Sequence, residues 1–141
     1  MNKDVFAMNV RNICAKDKRY KPDAYFFIQE GFNFAARMFK KRARKGHSRH
    51  LTAHQFLEGL RIFALEEFGP MARRVLKEWG LNTTQDIGEV VFNLIEAGSM
   101  KKAETDSKED FINVYDFDEA FVKPFLPSSK INEKRNEEAK K

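Results

Sequence analysis

His47, His50 and His54 are the three histidines of the chain, and they fall within eight residues, with Glu58 one helical turn beyond His54. On a helix, His54 and Glu58 at i and i+4 share a face and could hold one metal ion, with His50 reaching in from the preceding loop. The spacing HxxHxxxHxxxE matches no metal motif of known geometry, however, and Lys45 and Arg49 alongside would repel a cation. Surface histidines are the favoured reading, and no metal is expected.

The same stretch carries the strongest charge signal. Residues 37–50 hold seven basic side chains (Arg37, Lys40, Lys41, Arg42, Arg44, Lys45 and Arg49) and no acid. Cations at this density attract phosphate backbones by releasing condensed counterions. Only Phe39 lies close enough to stack on a base, so the expected contact is with the backbone and not with sequence. The competing reading is a solvated helix end, neutralised in part by the acidic residues 84–121 or by an acidic partner.

Other candidate chemistries fall away. The carboxylates at 104–119 lack the alternating ligands and central glycine of a calcium loop. Cys14 lies on an apolar helical stripe, where a packed thiol is expected and a nucleophile is not. The seven glycines are scattered singly, so there is no phosphate loop, and no GxSxG elbow occurs. Catalysis therefore has no positive evidence, and no catalytic residue or cofactor is assigned.

Composition bounds the rest. A chain of 141 residues with 42% apolar residues and fourteen phenylalanines can fill one core. Residues 1–83 carry 17 basic and 8 acidic side chains, whereas residues 84–121 carry 3 and 10. A lone cysteine, no apolar h-region at the N-terminus and no stretch long enough to span a bilayer make the cytoplasm the expected location.

The elements that must position these groups follow from capping and periodicity. Asp4 opens a first helix with Phe6, Val10, Ile13 and Cys14 on its apolar face. After a polar connector at 16–21, Pro22 suits the first position of a second helix, whose broad stripe runs from Tyr25 through Ile28, Phe32 and Ala35 to Phe39. Gly46 is the expected stop. Thr52 and Gln55 form a capping-box pattern for a third helix, which Gly69-Pro70 ends. A short helix through Val75, Leu76 and Trp79 closes at Gly80. Thr83 or Thr84 caps the next, with Ile87, Val90, Val91, Leu94 and Ile95 buried and Gly98 after it. Met100 to Glu104 and Phe111 to Tyr115 then read as two strands around a polar loop. Asp116 with Glu119 starts a last helical turn, and residues 128–141 read as a disordered tail.

His50-Leu51-Thr52, Leu57-Glu58-Gly59, Phe68-Gly69-Pro70, Trp79-Gly80, the run Asp86-Ile87-Gly88-Glu89-Val90-Val91-Phe92-Asn93-Leu94-Ile95, and Asp110-Phe111 with Val114-Tyr115-Asp116-Phe117 are further landmarks. Together they resemble a small family of bacterial conserved hypothetical proteins known mainly from planctomycetes and verrucomicrobia. The resemblance spans roughly residues 18–122. It implies no assigned activity and carries over no catalytic residue.

The sequence thus predicts a mostly helical α+β fold. One globular domain covers 1–127, with N-terminal helices packed on a winged-helix-like three-helix unit at about 52–121 that ends in a C-terminal β-hairpin. The expected function is a non-catalytic binding or regulatory module contacting nucleic acid non-specifically through the basic run. The expected recognition helix, 84–98, presents Gln85, Asp86, Glu89, Asn93 and Glu96 opposite its apolar face, and three carboxylates would be repelled by a phosphate-lined groove. The alternative is therefore a protein-interaction domain using Asp86, Glu89, Asn93 and Glu96, with the wing, to engage a partner or a second copy.

Overall fold

The computed structural model describes residues 3–40, 51–100 and 107–127. Its first helix, α1 (Lys3–Lys16), carries Asp4 in its first turn, where the positive end of the helix dipole favours a carboxylate. Phe6 and Val10, four residues apart, are buried. α2 (Pro22–Lys40) begins on Pro22, whose missing N–H costs nothing in a first turn. Ala24, Tyr25, Phe27, Ile28 and Ala35 are buried along it, and α2 touches α1, α3 and α5. That two-sided burial is why its stripe in the sequence is so wide.

α3 (Ala53–Phe68) opens on a capping box in which the Gln55 amide donates to Thr52 Oγ1 and the Thr52 amide to Gln55 Oε1, each at 3.1 Å. It runs antiparallel to α2: Phe32 meets Phe56 near one end of the pair and Phe27 meets Phe63 near the other. Gly59 makes the close approach possible, since a Cβ there would lie 2.8 Å from Cα of Ala35. Leu57 of α3 and Ile28 of α2 are fully buried, and each such side chain stabilises the fold by about 1.5–3 kcal/mol relative to exposure.

A 3-10 turn (Gly69–Met71) containing Pro70 leads into the short α4 (Ala72–Glu78). Gly80 follows with φ +93°, and a Cβ there would strike the Arg19 carbonyl, so the α1–α2 connector can lie directly on the end of α4. α5 (Thr84–Glu96) is capped by Thr83 through a box closed by Asp86, and buries Ile87, Val90 and Leu94. One hydrophobic cluster takes in residues from Phe6 to Phe121. No helix among the described residues is long and apolar enough to cross a membrane.

The expected hairpin is not formed, and with it the α+β and winged-helix readings fail. The described residues are helical and contain no strand. Most of the first expected strand, and the loop up to Asp106, lie outside the described residues. The second is replaced by a 3-10 turn (Lys108–Phe111), capped by Ser107 and Asp110, and then a bend in which Asn113 has φ +52°. A side chain, not a partner strand, satisfies this backbone. Thr84, only 1% exposed, donates from Oγ1 to the Phe111 carbonyl at 2.6 Å and accepts the Val114 amide at 3.2 Å. An isolated two-stranded ribbon is marginal in water, whereas this path puts Phe111 against Gly88 and Phe92 of α5. Asp116 then caps α6 (Phe117–Phe121) as its sequence suggests, accepting the Asp118 and Glu119 amides. The expected tail and the Gly46 stop lie outside the described residues.

Candidate functional site

The basic run begins on α2. Arg37 is exposed in the last turns of that helix, and Lys40 is its final residue. Lys41, Arg42, Arg44, Lys45 and Arg49 lie outside the described residues, as do His47 and His50.

The four residues of the acidic helix face fare differently. Asp86 points toward the α1–α2 connector: Oδ1 accepts the Tyr20 hydroxyl at 2.9 Å, and Oδ2 accepts the Asn82 amide at 2.9 Å and the Thr83 amide at 3.2 Å. Glu89 Oε2 is shared between Arg19 at 3.3 Å and Lys108 at 3.2 Å. Asn93 donates from Nδ2 to Asp17 at 3.0 Å and to the Tyr25 hydroxyl at 3.1 Å. Glu96 alone of the four is exposed, on the edge of an open cleft of about 480 Å³ between α1 and α5 that Asn12 and Lys16 also line.

This polar seam is built by residues the periodicity did not single out. Asp17 and Arg19, in the connector, form a bidentate pair with contacts of 2.8–3.2 Å. The Arg19 guanidinium, helped by Asn93, holds the Asp17 carboxyl well below the usual carboxylate range. Burial pushes the Tyr20 hydroxyl well up, and its bond to the Asp86 carboxylate adds to the rise. Burial likewise raises Tyr25. A signal was present: Tyr20 is the one aromatic in an otherwise charged stretch, and it is 4% exposed.

His54 and Glu58 border a second open cleft, of about 500 Å³, between α3 and the C-terminal segment. The Glu58 carboxylate is taken by Arg61, with Nε at 3.1 Å from Oε2, which lowers the Glu58 pKa and raises that of Arg61. Glu58 is thus committed to a guanidinium, and among the described residues no group of three or more His, Cys, Asp or Glu side chains is placed to hold a metal ion. Tyr115 closes the cleft floor by donating to the Leu57 carbonyl at 2.9 Å, and burial raises its pKa. Cys14 is half-buried with Sγ directed at the Tyr20 carbonyl, and burial raises its pKa, which disfavours the reactive thiolate.

The arrangement therefore offers a cationic helix end, an internally satisfied acidic face and open clefts. Comparison with protein-family models, with curated proteins and with solved structures finds no match for this chain.

Proposed function

We propose that the chain is a non-catalytic binding module of cytoplasmic regulatory type that contacts nucleic acid non-specifically. The contact runs through Arg37, Lys40, Lys41, Arg42, Arg44, Lys45 and Arg49. The observation that supports this is where the acidic charge of residues 84–121 goes. Glu89 is held by Arg19 and Lys108, Asp118 by Arg73 and Glu119 by Lys123, while Asp86 is spent on Tyr20 and two backbone amides. Those four carboxylates have cations and donors of their own among the described residues, which supports a basic run whose charge is available to a partner.

The protein-interaction alternative draws less support from the same geometry. Asp86, Glu89 and Asn93 are engaged with the connector, which leaves Glu96 as the exposed member of the set, and the described residues form no wing strand.

Fluorescence anisotropy with labelled single-stranded RNA and double-stranded DNA tests the proposal. Seven phosphate contacts would cost about 10³–10⁵ in affinity between roughly 50 and 200 mM salt. Changing Arg42, Arg44 and Lys45 to Glu should abolish the binding. Salt-indifferent binding, or a variant that binds as well as the parent, removes the nucleic-acid reading.

A further inference from the structure

The α2–α3 pair differs in charge between its two ends. At one end it leads into the basic run at 37–50. At the other, α2, α3 and the end of α4 leave an open groove of about 270 Å³ with a floor and walls of Phe26, Phe27, Phe63, Phe68 and Trp79. Phe27 is the hub, its ring centroid 5.6 Å from that of Phe63 and 5.7 Å from those of Phe68 and Trp79. Phe26 stands 40% exposed at the lip. Three carboxylates, Asp23, Glu30 and Glu67, rim the groove. All three are exposed, and none joins an ion pair among the described residues.

An aromatic floor under a carboxylate rim suits a lysine or arginine side chain. The aliphatic stem lies on the rings, the cation is drawn to their faces, and the carboxylates take its N–H groups. The groove volume is of the size that accepts one or two such side chains and not a folded element.

We propose that this groove docks the basic run of a second copy of the chain. The run supplies the matching chemistry, seven cations without an acid and Met38 and Phe39 beside them as apolar anchors. Its own groove lies toward the opposite end of the antiparallel pair from Lys40 and Leu51, the described residues that flank 41–50, and Phe27 lies thirteen residues down α2 from Lys40. That is about 20 Å along the axis, a span that a second copy does not have to bridge, and the contact is head to tail between molecules. Each such contact leaves one run and one groove free, so association continues as concentration rises until a ring closes.

Light scattering across a concentration series tests this, with Glu30→Lys/Glu67→Lys as the groove variant and Arg42→Glu/Arg44→Glu/Lys45→Glu as the run variant. The parent chain, 16.5 kDa, should gain mass with concentration and lose the gain at high salt. Each variant alone should stay monomeric, with its association weakened roughly tenfold or more. Their mixture should associate again, because the groove variant's basic run meets the run variant's intact groove and the reversed run meets the reversed groove, and unchanged helical circular dichroism of each variant alone separates this from unfolding. Trp79 is the sole tryptophan and reports directly: a synthetic peptide of residues 37–50 should change its fluorescence saturably in the parent and not in the groove variant. The groove variant keeps all seven cations, so its nucleic-acid binding should persist, and the two proposals fail separately. A monomer at every concentration overturns the inference, as does association that the groove variant leaves intact. Peptide binding by a chain that stays monomeric also overturns it, and assigns the groove to a basic segment of another protein.

Discussion

The Tyr20 hydroxyl donates to Oδ1 of Asp86 across 2.9 Å and 66 residues of sequence, while the other oxygen of Asp86 closes the capping box of α5. One carboxylate therefore starts a helix and fastens the α1–α2 connector to it. Replacing Tyr20 by Phe keeps the buried ring and removes only the hydroxyl. A hydrogen bond to a charged group contributes about 1.5–3 kcal/mol, and urea unfolding should show a loss in that range. An unchanged midpoint would mean that the bond contributes nothing net.

Alkaline pH should unfold the protein cooperatively. All three tyrosines, Tyr20, Tyr25 and Tyr115, are raised above the ordinary value of 10.0, chiefly by burial. A pKa raised by folding contributes stability that is complete below the unfolded value and lost as pH rises through the folded one. Stability should hold up to about pH 10 and fall above it. The phenolate absorbance should then appear together with the loss of helical circular dichroism. Three phenols titrating near 10 in a protein that remains folded would contradict this.

Thr84 replaces the expected hairpin's hydrogen bonds with its own. Thr84→Val is close to isosteric but leaves the Phe111 carbonyl and the Val114 amide without their partner. Each unsatisfied buried group costs about 1–3 kcal/mol. Thr84→Ser, which keeps the hydroxyl, should recover most of the loss in thermal unfolding. Equal destabilisation by the two substitutions would place the effect in packing instead.

Gly59→Ala sets two effects against each other. Alanine gains about 1 kcal/mol of helix propensity over glycine, but its Cβ would meet the backbone of α2 at Ala35. Overpacking against a backbone that cannot rotate away costs about 1–3 kcal/mol, so net destabilisation is expected in denaturant. A more stable variant would show that α2 and α3 separate easily.

Local chemistry was largely legible. The Thr52–Gln55 box, Pro22 at the start of α2, the Asp116 cap and the stops at Gly69 and Gly80 all occupy their expected roles. Each depends on residues within a few positions of one another, which a one-dimensional pattern contains. The strand read over Phe111 to Tyr115 failed for the same reason. Alternation is compatible with a strand, but also with successive turns that each drop one aromatic onto a core built elsewhere. Only Thr84, about thirty residues away, distinguishes the two.

The candidate sites divide in the same way. The basic run is a property of composition, and the sequence alone determined it. It also determined that two opposite charge regions exist, because charge density needs no partner to be counted. What became of the acidic region was decided by tertiary structure. Helical spacing put Asp86, Glu89 and Asn93 on one polar face, and a polar face reads as solvent unless another segment covers it. Here the connector covers it with Asp17, Arg19 and Tyr20, far away in sequence and close in space. The aromatic groove between Asp23, Glu30 and Glu67 has the same origin. Its rings read as core and its acids as surface, and only the packing of α2, α3 and α4 brings the two together in an open cleft.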